Sequence, residues 1–176
     1  PAILDILYTE SRRKRLLQEV LFPKAVVAKL KAMDFRPDII WLQESHTALV
    51  LALVRSDPFF AGTKFLFTIH TPEQSGMERF YGEDWRFDTL GIDPAEYAMY
   101  YAKDGVLDFT RAAMSLADRV NAVSQEHAEV TRKMFPEFEQ KIFGITNGSD
   151  EYWLSAELLE ALNVASAKGY GGPQNG

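Results

Sequence analysis

Arg36-Pro37-Asp38-Ile39-Ile40-Trp41-Leu42-Gln43-Glu44-Ser45-His46 is the stretch on which the fold turns. Arg36-Pro37-Asp38 punctuates the chain, because proline steers its neighbours away from a continuing helix. Ile39 to Leu42 is a short apolar run of the type that forms strands buried in parallel sheets. Glu44-Ser45-His46 closes the strand with polar groups, and Ser45 is placed to cap a helix running from His46 to about Ser56. That helix is almost wholly apolar and is expected to be buried; Asp57-Pro58 stops it.

The same alternation extends in both directions. Upstream, Leu16, Leu17, Val20, Leu21, Val26, Val27 and Leu30 recur at spacings of three and four, which predicts a helix over Thr9 to Met33 with one apolar stripe. Pro23 is expected to kink or break it. Arg12-Arg13-Lys14-Arg15 opens this helix and reads as a solvated basic face, or else as an anion-contacting patch. Downstream, Lys64 to Ile69, Arg119 to Val123 and Lys141 to Thr146 read as three further strands. Between them lie helices over Leu107 to Ala117 and from a Ser124 cap to Phe135, where Pro136 ends the second. A last helix starts at a Ser155 cap and runs to about Ala165. Asp93-Pro94-Ala95-Glu96 has the form of a capping box, inside an aromatic-rich stretch that holds Trp85, Phe87, Tyr97, Tyr100 and Tyr101. Strands alternating with helices predict an α/β fold: an open parallel sheet with flanking helices. Residues 1–166 are expected to form one partial domain, and 167–176 a mobile Gly-rich tail.

Composition narrows the function. A chain of 176 residues can bury roughly 70% of its unfolded surface, and 47% hydrophobic residues supply a core. The net charge of −6 argues against a nucleic-acid partner. With no cysteine, thiolate catalysis, disulfides and cysteine-ligated metals are excluded. The three histidines have no local metal-ligand spacing, so no metal site is expected. The longest apolar run, Ala48 to Val54, is too short to span a membrane. No phosphate-binding glycine loop, dinucleotide fingerprint or nucleophile elbow is present.

Ligands of open α/β sheets bind outside the carboxyl ends of the strands. That rule singles out Glu44, Ser45 and His46, then His70 and Thr71, then Ser124 and Gln125, then Asn147 and Gly148. Carboxylate, imidazole and amide groups suit sugar hydroxyls. Each also has a plain structural use. His46 can pack at a helix start, His70 can brace its loop, and Asn147 before Gly148 can serve a turn. His127, inside a helix, reads as exposed surface.

Four segments in order are similar to the α-glucan glycosyltransferases of the GT-B type. They are Arg36 to Ala48, Phe67 to Pro72 with Ser75-Gly76, Ala117 to Ser124, and Ile145 to Gly148 with Trp153. The resemblance covers residues 12–153 and points first to glycogen phosphorylases, whose His-Thr-Pro loop His70-Thr71-Pro72 resembles. It points second to glycogen and starch synthases, which share Arg36-Pro37-Asp38 and Ala117-Asp118-Arg119-Val120. The resemblance implies the catalytic part for His70, with Glu44, His46 and Asn147 holding the sugar. Trp41 departs from the family, which often has histidine there. The implied reaction is retaining transfer of glucosyl units between an α-1,4-glucan and phosphate, in the cytoplasm. Pyridoxal phosphate would then serve the parent enzyme, held by a lysine outside this chain, while this chain itself binds no cofactor. The implied partners are glucan or glucose phosphate and a second GT-B domain, without which the chain is expected to have no turnover. The alternatives are a segment of a nucleotide-sugar-dependent glycogen synthase, or a non-catalytic module that binds glucan or protein.

Overall fold

The computed structural model describes residues 3, 5–6, 9–71, 73, 77–82, 105–148 and 155–167. The chain divides into two compact units, Pro1–Thr146 and Asn147–Gly176.

In the first unit, helix α1 (Arg12–Ala32) precedes strand β1 (Ile39–Gln43). A 3₁₀ turn (Ser45–Thr47) and helix α2 (Leu49–Arg55) lead to strand β2 (Lys64–Ile69). A two-residue antiparallel pair follows, β3 (Arg79–Phe80) with β4 (Leu107–Asp108). Helix α3 (Phe109–Leu116), strand β5 (Arg119–Ala122), helix α4 (Gln125–Met134), a 3₁₀ stretch (Pro136–Lys141) and strand β6 (Ile142–Gly144) complete it. The sheet runs β1-β2-β5-β6 and every pairing is parallel. This is the expected open α/β sheet. In the second unit, helix α5 (Ala156–Ala167) follows Ser155, whose Oγ accepts from Leu158 N at 3.2 Å, the expected cap.

Register puts Leu42 beside Phe67, Phe67 beside Val120, and Val120 beside Ile142. These four, with Phe65 and Ile69, form the buried face. Leu16 and Val20 of α1 and Leu49, Leu51 and Val54 of α2 belong to the same core, and α2 packs on both α1 and α3.

Some expectations change. Helix α1 runs unbroken through Pro23, which is itself buried. One backbone donor is lost there, but Leu16, Val20 and Val27 hold both halves against the core. Leu21, expected in the stripe, lies on its margin with 37% exposure. Ser45 does not cap α2; it is buried in the 3₁₀ turn, and Ala48 occupies the cap position without a side-chain bond. The run Ile39 to Leu42 is buried on one face alone: Ile39 is 62% and Trp41 58% exposed. Among the described residues β1 is an edge strand, and the face of it that carries Ile39 and Trp41 is open. The basic cluster is not simply solvated, because Arg12, Lys14 and Arg15 all make ion pairs. No described helix is long and apolar enough to cross a membrane. The capping box at Asp93, the aromatics from Trp85 to Tyr101, Ser75-Gly76, Trp153 and the Gly-rich tail lie outside the described residues.

Candidate functional site

The site is built at the carboxyl ends of β1 and β2. Pairing of Gln43 with Thr68 brings the next residues, Glu44 and then His70, to one rim. Glu44 N donates to Thr68 O at 2.9 Å, the last rung of the ladder. The chain then turns sharply, with Glu44 at φ 64° and ψ 166°. Side chains rarely adopt that backbone region, and holding it costs about 1–3 kcal/mol. The surroundings over-determine it. Glu44 O accepts from Thr47 Oγ1 at 2.8 Å and from Thr47 N at 3.2 Å. Glu44 Oε1 accepts from His70 N at 2.7 Å and from Thr71 Oγ1 at 3.4 Å.

His70 is exposed on the rim. Its Nε2 meets Gln43 Oε1 at 2.9 Å. An amide oxygen only accepts, so in this bond the ring donates from Nε2. Glu44 therefore fixes the His70 backbone, and Gln43 fixes its imidazole.

His46 and Glu44 share a cavity of about 340 Å³ with Arg12, Arg15, Thr71 and Glu78. Partial burial and the Arg15 guanidinium push the His46 imidazole below its ordinary value, against the pull of Glu44 and Glu78. The imidazole is thus biased to the neutral form, a donor and an acceptor at once. Arg12 Nη1 lies 3.2 Å from Glu78 Oε2, and Arg15 Nε lies 3.1 Å from Glu78 Oε1. Arg15 Nε is also 2.6 Å from Glu19 Oε1, one turn along α1. Burial first and the Glu78 charge second raise the Glu19 carboxyl to about 8, despite Arg15.

Of the four residues to which the resemblance gives site roles, the structure brings together Glu44, His46 and His70. Asn147 is exposed and belongs to the second unit, so it is described apart from them. Gln43, Arg12, Arg15 and Glu78 were not singled out for the site. Neither was His127, which is 7% exposed rather than on the surface. Ser124 Oγ accepts from His127 N at 3.0 Å, the expected cap of α4. His127 Nδ1 in turn accepts from Val123 N at 3.1 Å. The ring thus reaches back to the residue before the Ser124 cap, one position short of the N-cap N–H that a capping box bonds. Burial pushes this imidazole below its ordinary value, while Glu44 pulls it up. Its Nε2 is buried without a hydrogen-bond partner among the described residues.

A clamped carboxylate beside an oriented imidazole thus stands at the carboxyl edge of the parallel sheet, where ligands of this fold bind. The family model for the starch synthase catalytic domain matches residues 4–143. The chain belongs to this family. It is 34% identical over 160 residues to the glycogen synthase of Syntrophotalea carbinolica, covering 81% of this chain and 32% of that protein. It is 32% identical over 150 residues to the glycogen synthase of Finegoldia magna, covering 74% of this chain and 30% of that one. The chain thus spans about a third of the length of these relatives. Its fold matches the catalytic domain of starch synthase IV from Arabidopsis thaliana, bound there to ADP and acarbose. That match has a TM-score of 0.58 at 18% identity and covers 82% of this chain and 31% of that one.

The family corrects two expectations. The synthase branch, second in the sequence reading, takes the place of the phosphorylase branch. Pyridoxal phosphate, expected for the parent enzyme through the phosphorylase branch, falls with it. Thr71, which favoured phosphorylases, is here the residue that donates to Glu44.

Proposed function

We propose that this chain is the glucan-binding part of a nucleotide-sugar-dependent α-1,4-glucan synthase, a retaining glucosyltransferase. The observation that carries the reading is the Glu44 clamp: a side chain held in costly backbone geometry by four hydrogen bonds at a ligand-binding edge. Membership of the synthase family supports the reaction, and the ADP and acarbose of the Arabidopsis structure support the nucleotide sugar and the glucan.

In this reading Glu44 and His46 accept and donate to hydroxyls of the glucosyl unit. His70 supplies the closest contact: its ring meets the sugar, and its backbone faces the positive charge that develops at the anomeric carbon. The work of these groups is orientation and electrostatic stabilisation, and the Glu44 bond to His70 N prepares both before substrate arrives. Residues 1–166 form part of the N-terminal domain, and the second domain of the whole protein brings the nucleotide.

Calorimetric titration with maltotriose tests this. The chain binds maltotriose, and Glu44→Gln or His70→Ala weakens it about tenfold, one charge-assisted or well-oriented hydrogen bond. Absence of maltotriose binding, or binding indifferent to both substitutions, overturns the reading.

A further inference from the structure

The wall that α1 contributes to the cavity has no part in the reaction described above, yet it holds two guanidiniums. Arginine pairs facing a cavity ordinarily make an anion site, because each presents a fork of donors to phosphate or carboxylate. Here the outcome is different. Glu78 bridges them, with one carboxylate oxygen on Arg12 and the other on Arg15. Arg12 also donates to Arg79 O, which holds it toward this segment. We propose that Glu78 makes the cavity a subsite for an uncharged polyhydroxyl ligand, a glucosyl ring, and excludes anions from it. The proposal rests on the glucan reading above and assigns Arg12, Arg15 and Glu78 the task of ligand discrimination.

The charge balance supports it. Arg12, Arg15, Glu44 and Glu78 all line the cavity, so the charges balance among its described lining residues. Glu19 does not upset the balance: it is not among the described lining residues, and burial raises its carboxyl above the ordinary range. His46 is biased to neutrality by Arg15. A phosphate entering this space would meet two carboxylates for its two guanidiniums. A sugar ring meets both donors and acceptors instead, in a volume of about 340 Å³ that suits a small ligand. Arg15 and Glu78 are only 15% and 19% exposed, so their charges are weakly screened and the discrimination is correspondingly strong.

The test compares two variants, Glu19→Gln and the double variant Glu19→Gln/Glu78→Gln. Glu19 is fixed neutral in both, because removing Glu78 alone would let the buried carboxyl ionise in its place. The probes are maltotriose and inorganic phosphate, and far-ultraviolet circular dichroism checks the fold. The double variant is expected to bind phosphate at least about tenfold more tightly than the single one, and maltotriose about tenfold more weakly. Unchanged phosphate affinity in the folded double variant overturns the proposal. Arg12→Gln, at an exposed position, is the second arm: it should weaken maltotriose with no gain in phosphate, and a gain there overturns the proposal too. If the wild-type chain binds no maltotriose, the glucan reading fails, while the phosphate arm still reads the charge balance on its own.

Discussion

The buried Glu19 carboxyl gives the α1 wall a pH signature. Its side chain is 3% exposed, and the Arg15 guanidinium that would neutralise it is shared with Glu78. Its folded pKa of about 8 stands well above the ordinary 4.5. The folded state therefore holds a proton that the unfolded chain has released, and stability falls as pH rises. The favourable contribution is complete below about 4.5 and lost as pH passes through about 8. Between the two values the slope approaches about 1.4 kcal/mol per pH unit. Two units, from roughly pH 5.5 to roughly pH 7.5, then remove about 2–3 kcal/mol, a fall in melting temperature of about 5–10 °C for a chain of this size. His46 and His127 act in the opposite sense. Their folded values are lowered, so stability rises toward pH 6.5. The wild-type profile mixes these effects, and the difference between wild type and Glu19→Gln isolates the carboxyl. Thermal melts followed by circular dichroism should show the variant gaining about 2–3 kcal/mol relative to wild type across that interval. A difference that does not change with pH would refute the reasoning.

Three other predictions concern the frame of the site. Lys141→Met should destabilise the chain by about 1.5–3 kcal/mol in urea unfolding, because Lys141 Nζ donates to Met114 O at 3.2 Å, Ser115 O at 2.7 Å and Ala117 O at 2.9 Å, at the end of α3. Gly144→Ala should cost about 1–3 kcal/mol in the same assay, since a Cβ there would stand 2.6 Å from Ser124 O and force β6 from the start of α4. His127→Leu should cost about 1–3 kcal/mol by leaving Val123 N–H without its acceptor, and His127→Gln should recover part of that.

The sheet was legible because each strand is a local signal. Lys64 to Ile69 is read directly from its apolar run, and Ser124 and Ser155 act as caps because capping is a matter of three residues. What escaped depends on distance in sequence. Glu78 lies 63 residues from Arg15 and 66 from Arg12, so nothing local distinguishes that cluster from a solvated face. The exposure of Ile39 and Trp41 depends on which face of β1 other elements cover, which composition does not encode. Pro23 obeyed its neighbours rather than its propensity, as a proline does when both flanking turns are anchored in a core. The rim rule found Glu44, His46 and His70 because it needs only the strand ends. It could not show that Glu44 is strained, nor that Gln43 holds the His70 ring, since both are properties of the assembled turn.

The central claim is that a glucan sugar seats on the rim formed by Glu44, His46 and His70. The most direct measurement is a titration of the chain with maltotriose, followed by nuclear magnetic resonance of the histidine ring protons and of the backbone amides. The account predicts saturable shifts at the His70 and His46 rings and at the amides of Glu44 and His70, with the amides of Ile39 and Arg119 at the opposite end of the sheet unmoved. Shifts confined to that opposite end, or no shift at the three rim residues at saturation, would contradict it.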